Sequence, residues 1–210
     1  MEFRDAIEFD ENIFRDFYNK WMDSEAPLVV DVSLSILEQV IVNNIKLDFN
    51  TVELSCLDIG CACGKHLISL KQNSIIQNAK GIDISNLMIE RAIQSAENHG
   101  VDISYINSSI ELYNTEDKYD IIIASEVLEH LINPIECLKK ITTLMSENGF
   151  FYGSVPLGNT CDTEVHFNHY SMDSLYELLF NSFKRITIIP INVSDKSGVH
   201  LFFRCQKEMS

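Results

Sequence analysis

"LDIGCACGKHL", residues 57–67, is the stretch on which the reading of the fold turns. An apolar run reaches Asp58, breaks into Gly60, Cys61, Ala62, Cys63 and Gly64, and then resumes a helix-like pattern. Strand, small-residue turn and helix in that order put a ligand loop at the carboxyl end of a strand. The small residues let a ligand approach the backbone closely. A dinucleotide fingerprint requires G-x-G-x-x-G, whereas here the small residues fall at 60, 62 and 64 and Lys65 holds the place of the last glycine. The C-x-C pair is no better as a zinc site. Structural zinc takes about four ligands, and no second cysteine pair exists in the chain. Cys61 and Cys63 read as small side chains in a tight loop.

Outward from this loop, strand-like and helix-like segments alternate. "VELSCLDIG" reads as a strand and "GKHLISLKQ" as a helix; "AKGIDIS" is a second strand. Ser85 is placed to cap a helix over 86–98 whose Met88, Ile89, Ala92, Ile93 and Ala96 share a face, with Gly100 as its stop. "VDISYIN" and "KYDIIIAS" follow as strands, the latter apolar enough for burial on both sides. "NPIECLKKITTLM" begins with Asn at the cap and Pro at the first helical position, with Ile135, Leu138, Ile141 and Met145 on one stripe. "NGFFYGSVP" is a fifth strand entered through a turn, and Ser171 caps a helix carrying Leu175, Leu178 and Leu179. "RITIIPIN" and "VHLFFRC" close the chain as a hairpin. The alternation predicts an α/β fold, a Rossmann-like, doubly wound, mostly parallel seven-stranded sheet with an antiparallel C-terminal strand.

Residues 1–50 read as an N-terminal helical cap, part of the same domain as residues 51–210. Within it Ile13, Phe14, Phe17, Tyr18 and Trp21 repeat at helical spacing, and residues 33–47 are apolar on nearly every side. The simpler reading of the aromatic stripe is packing against the domain; the sharper one is a lid over a ligand.

The 210 residues carry 46% hydrophobic and 22% charged residues, ordinary for a soluble globular protein. No apolar run approaches the ~20 residues of a membrane helix, and the acidic start lacks the pattern of a signal peptide. A cytoplasmic location and no membrane partner are expected. Sixteen basic against 31 acidic residues give a formal charge of −15. No Lys/Arg run offers a phosphate-binding surface, so nucleic acid is an unlikely partner. The six cysteines are scattered through apolar segments and read as reduced thiols.

The pattern that fits residues 58–64 is D-x-G-x-(A/G)-x-G followed by an acid ending the second strand, here Asp83 in "GIDIS". In these features the chain resembles the class I S-adenosylmethionine-dependent methyltransferases from about residue 50 onward. "HFNHYSMDSL" is similar to a segment of the branch that includes ubiquinone-biosynthesis O-methyltransferases. The resemblance implies S-adenosylmethionine as cofactor and S-adenosylhomocysteine as product. It assigns cofactor binding to Asp58, Gly60, Cys61, Ala62, Gly64, Asp83, Ile84 and Ser125. The usual third-strand acid is missing from "INSSIEL", which leaves Ser109 and Ile110 to face adenine, with Glu111 as a substitute. Ala62 departs from the family's middle glycine, a change the loop accepts if its φ is negative.

"SEVLEH" carries the remaining chemistry. If the chain turns helical after Ser125, then Glu126, Glu129 and His130 share one face. With His166 they resemble the metal set of small-RNA 3′-terminal 2′-O-methyltransferases. The simpler reading is that they shape a metal-free site, so magnesium is possible but not favoured. Glu126, His130, His166 and His169 are the catalytic candidates, an imidazole serving as base or orienting group. The expected function is methyl transfer to a hydroxyl or amine of a small-molecule acceptor. The rivals are a metal-assisted RNA 2′-O-methyltransferase and a non-catalytic cofactor-binding regulatory subunit.

Overall fold

The computed structural model describes residues 35–50, 53–158, 166–194 and 198–207. The aromatic stripe at 13–21 and the proposed lid lie outside the described residues. The order is α1 (Ile36–Asp48), β1 (Leu54–Ile59), α2 (Lys65–Gln72), β2 (Ile76–Asp83), α3 (Asn86–Asn98), β3 (Ser104–Asn107) and β4 (Tyr119–Ser125). A 3-10 turn (Leu128–His130), α4 (Pro134–Leu144), β5 (Met145–Pro156), α5 (Met172–Phe180), β6 (Arg185–Ser194) and β7 (Gly198–Gln206) follow.

Seven strands form one sheet in the order β3-β2-β1-β4-β5-β7-β6. Neighbours from β3 to β5 are parallel, and β7 is antiparallel to both β5 and β6. The winding direction reverses between β1 and β4, so their carboxyl ends flank the crevice where open α/β sheets bind ligands. Gly60 follows one strand and Glu126 the other.

Both faces of the sheet are covered, as the buried run of β4 requires: Ile121, Ile122, Ile123 and Ala124 are all fully buried. On one face Ile122, Phe151 and Phe203 pack with Leu138 and Ile141 of α4 and Leu175 and Leu179 of α5. On the other, Ile41, Val42 and Ile45 of α1 and Leu67 and Leu70 of α2 pack on Cys56, Ile121, Ile123 and Phe202. Helix α1 is therefore a layer of the domain. Its Ser35–Glu38 capping box fixes its start, and Asp48 at its end bonds both Arg204 and the Tyr152 hydroxyl.

Three details differ from the sequence reading. Helix α1 is amphipathic, with Ile36 and Leu47 exposed, because only one side meets the sheet. Ile93 and Ile135 are also exposed; α3 and α4 bury narrower stripes, with Cys137 and Leu144 in place of Ile135. Strand β5 starts directly at Met145, and the expected turn at Asn148–Gly149 is a register irregularity against β4. Among the described residues no helix is long and apolar enough to cross a membrane.

Ile41→Ala removes a side chain that is fully buried between α1 and the sheet. The expected loss is about 2–5 kcal/mol. Urea unfolding should show it as one cooperative transition with a lowered midpoint; a separate early transition would detach α1 from the domain.

Candidate active site

The loop after β1 is built from left-handed backbone. Gly60, Ala62 and Gly64 have φ of +66°, +44° and +78°. Glycine is required at the first for space as well: a Cβ there would come 2.6 Å from Val127 Cγ2. At Gly64 a Cβ would overlap the Tyr105 hydroxyl, which reaches under the loop from β3. Ala62 contradicts the expectation of a negative φ and holds a conformation that costs an L-residue ~1–2 kcal/mol. Its N–H donates to Asp83 Oδ2 at 2.9 Å, while Ser85 N–H donates to Asp83 Oδ1 at 2.8 Å. Asp83 is buried, and burial raises its carboxyl pKa despite those two hydrogen bonds; the charge of Asp58 adds to the rise.

Asp58 is buried too, and its carboxylate turns to His66 on α2, with Oδ2 3.3 Å from Nδ1. Burial works against the charged imidazole, but the charge and hydrogen bond of Asp58, together with Glu38, outweigh it and raise the His66 pKa. Cys61 is packed inward, its N–H bonding Ile82 O at 3.0 Å, and burial pushes its thiol well up.

Gly60, Asp83, Ile84, Ser109, Ile110, Glu111, Glu126 and His130 all contribute to the wall of a single cleft. Ile59, Ser108, Val127 and Leu131 complete that wall. Of the expected cofactor residues, Asp58, Cys61, Ala62, Gly64 and Ser125 are not among the residues that line it. The Ser109 hydroxyl accepts the Leu112 N–H at 3.3 Å, so it caps a turn beside the cleft.

The chain does not turn helical after Ser125. Glu126 has φ +57°, and only Leu128–His130 form a 3-10 turn. Glu126 and Glu129 therefore part company, which corrects the shared face expected from their spacing. Glu126 Oε1 accepts the Ser154 hydroxyl at 2.8 Å and Oε2 lies 2.9 Å from His200 Nδ1; Ser125 and Ser154 hydroxyls are 2.8 Å apart. Glu129 instead joins His130 and His166, with ligand atoms all within 4.8 Å of one another. The two imidazole rings meet edge to face at 4.7 Å. Glu129 is 2% exposed, its Oε2 is buried with no hydrogen-bond partner among the described residues, and burial, then the Glu126 charge, push its pKa well up.

The segment 166–170 is stitched to that turn. Phe167 and Asn168 N–H both donate to Glu129 O, the Asn168 amide reaches Leu131 O at 2.6 Å, and the Tyr170 hydroxyl reaches Leu128 O at 3.1 Å. This places His166 against His130. His169 is exposed and contributes to neither cleft nor cluster. Sequence reasoning missed His66, Tyr105 and His200. His66 had a signal, since it directly follows the loop and its lysine; the other two are brought in by sheet order.

The chain belongs to the methyltransferase-domain family, whose model matches residues 35–188. It is 26% identical over 147 residues to the ubiquinone biosynthesis O-methyltransferase of Rickettsia bellii, covering 70% of this chain and 59% of that protein. The Rickettsia typhi protein of the same name is 30% identical over 140 residues, 66% of this chain and 55% of that one. The chain thus spans under two thirds of the length of these curated relatives. Its fold is similar to that of magnesium protoporphyrin IX methyltransferase from Synechocystis PCC 6803 with bound SAM: TM-score 0.71, 17% identity, 95% of this chain and 97% of that one. The N-methyltransferase NodS from Bradyrhizobium japonicum WM9, in complex with S-adenosylhomocysteine, gives a TM-score of 0.68 at 19% identity, covering 86% and 94%.

Ala62→Gly relieves the left-handed strain, partly offset by the freer unfolded chain. The expected gain is up to about 1 kcal/mol, or roughly 2–4 °C in Tm for a domain of this size, read by calorimetry. An unchanged or lowered Tm would mean that the Ala62 methyl makes a compensating contact.

Proposed function

We propose that the protein transfers the methyl group of S-adenosylmethionine to a hydroxyl or amine of a small molecule and releases S-adenosylhomocysteine. The observation that carries this is a cleft at the switch point, lined by both Gly60 and Asp83, in a chain of the methyltransferase-domain family. The residues fit such a donor. Each Asp83 oxygen has one backbone partner and a further lone pair for a ribose hydroxyl. Ile84, Ser109 and Ile110 face the base; Gly60 and the backbones of Cys61, Ala62 and Gly64 leave room for the amino-acid end. The N-terminus of α2, which has no side-chain cap, suits its carboxylate. Asp58 and Ser125 act behind this wall, Asp58 through its contact with His66.

When bound, the donor supplies an electrophilic methyl on a cationic sulfur. The protein then has to align an acceptor atom with it and dispose of a proton. His130 on the cleft wall is the histidine placed to take that proton, and His166 orients its ring. A nucleic-acid acceptor is disfavoured by the −15 charge. A cytoplasmic location fits the reading, since the five described cysteines are thiols and not disulfides.

One observation favours a second reading, a metal-assisted transfer. The orphaned Glu129 Oε2 beside two imidazoles is a donor set that a divalent ion such as magnesium could complete. Glu129, His130 and His166 would hold it, and the ion would lower the pKa of an acceptor hydroxyl.

Calorimetric titration with S-adenosylhomocysteine tests the donor site. Asp83→Ala should weaken binding roughly tenfold to a hundredfold, the worth of hydrogen bonds to a charged group. Unchanged affinity in the folded variant removes Asp83 from the site. A screen for S-adenosylhomocysteine release over pooled metabolites, with and without EDTA, tests the chemistry. His130→Ala should lower turnover by ~10²–10⁴ with donor affinity little changed. Full activity in EDTA eliminates the metal reading; abolished activity restored by Mg²⁺ establishes it.

A further inference from the structure

Asp58 and His66 bracket the loop after β1. Asp58 stands near the end of β1, two residues before Gly60, and His66 stands in the first turn of α2, two residues after Gly64. Their side chains meet, Oδ2 to Nδ1, at 3.3 Å, so one contact joins the two ends of residues 59–65. Both residues are buried, Asp58 at 1% and His66 at 8% exposure. Among the described residues His66 is the sole hydrogen-bond donor to that carboxylate. The second imidazole nitrogen, Nε2, is buried with no hydrogen-bond partner among the described residues. When the ring loses a proton, it therefore leaves from Nε2, while Nδ1 keeps its hydrogen on Asp58. The bond persists but loses its charge assistance, about half of its strength.

The charged groups that bear on the imidazole come from three elements: Asp58 of β1, Glu38 of α1, and Lys65 beside it on α2. From β3 the Tyr105 hydroxyl reaches under Gly64, and burial pushes its pKa far up. Burial raises the thiols of Cys61 and Cys63 as well. The imidazole is left as the base of this bracket that titrates near neutral pH. Burial disfavours its charged form, yet the charge and hydrogen bond of Asp58, with Glu38, outweigh that and raise its pKa. The contact is thus at full strength below about pH 6.5 and weakens as pH rises through the raised value. The loop has reason to relax when that happens. Gly60, Ala62 and Gly64 are left-handed, and at Ala62 this strains an L-residue. The Ala62 N–H on Asp83 holds the middle of the loop, and the Asp58–His66 contact holds its ends.

We propose that His66 is a positioning residue, a protonated clasp that acts through Asp58 to keep residues 59–65 in the shape that binds the cofactor, so that affinity falls as the clasp loses its proton. The inference rests on the donor reading of the cleft, which Gly60 of this loop lines. Apparent affinity scales with the fraction of molecules whose loop is already in place. No atom of the ligand has to touch His66 for this to hold.

The test compares the full wild-type chain with His66→Asn, whose amide N–H falls near the Nδ1 position and keeps an uncharged bond to Asp58. Two readouts are followed from about pH 6 to about pH 8.5: hydrogen exchange of the Ala62 and Gly64 amides by NMR, and calorimetric affinity for S-adenosylhomocysteine. Taking the ratio of the two proteins at each pH cancels the exchange chemistry and every titration they share. At the acid end, wild type should exchange about three- to tenfold more slowly and bind about two- to fivefold more tightly. Both ratios should fall to a plateau as pH rises. Ratios that stay constant with pH, or that grow, overturn the proposal, because the smaller side chain alone does not titrate. If His66→Asn does not fold, the wild-type His66 imidazole decides by NMR titration. A pKa above ~6.5, with Ala62 amide protection falling through the same range, upholds the clasp, and any other result overturns it. Should wild type bind no S-adenosylhomocysteine at any pH, the donor reading fails, and the exchange ratio still decides the clasp.

Discussion

Asp83 ends β2 with its carboxylate almost wholly out of water, and both oxygens accept backbone N–H groups, one from the loop after β1 and one from the start of α3. That bridge joins the backbone bonds of Cys61 N–H to Ile82 O and Gly64 N–H to Cys61 O in holding a loop with three left-handed residues in five. The same residue lines the cleft, so loop shape and the proposed donor recognition share one group. Burial disfavours its charge, and two hydrogen bonds oppose that cost. The Asn107 amide reinforces the arrangement from β3 by donating to the carbonyls of both Asp83 and Ile84. Loop, β2 and β3 therefore meet at one point, and the ligand wall is the outer surface of that junction.

The parts of this arrangement that are contiguous in the chain were legible in the sequence. The strand–turn–helix pattern at 57–67, the acid ending "GIDIS" and the doubly buried run of β4 each depend on local periodicity and composition, and each takes its expected place. Less legible was how wide a stripe each helix buries. Ile93 and Ile135 lie on apolar faces by spacing, yet α3 and α4 meet the sheet over a narrower contact that excludes them. The sign of φ at Ala62 was also hidden, since a methyl group does not announce its backbone conformation. Asp83 compensates for it from 21 positions away.

What sequence could not convey was contact that follows from sheet order. Strand β7 inserts between β5 and β6 and runs against them, so its amino-terminal part lies at the edge where the parallel strands end. His200 pairs with Pro156 and so arrives beside Glu126, 74 positions earlier in the chain. Tyr105 likewise reaches Gly64 and Gly81 only because β3 flanks β2. Nor does helical spacing apply to "SEVLEH", because the left-handed turn at Glu126 divides it. One carboxylate goes to the Ser154–His200 side and the other to the His130–His166 side.

That division sharpens the chemical choice at the site. Among the described residues, Glu129 is a carboxyl group taken out of water without a hydrogen bond for Oε2, a state that burial penalises heavily for the charged form. Two arrangements satisfy it. Protonation makes it a neutral acid, in line with the upward push on its pKa. A divalent cation instead keeps it ionised and draws on those same imidazole lone pairs. The arrangements exclude one another for His130. An imidazole nitrogen that ligates a cation cannot accept a proton from the acceptor, so a single ring cannot be ligand and base through the same atom. With a metal, the proton must leave by another group, and Glu126, Asp83 and Glu111 are the carboxylates of the cleft wall. Without one, the proposed role of His130 as base stands.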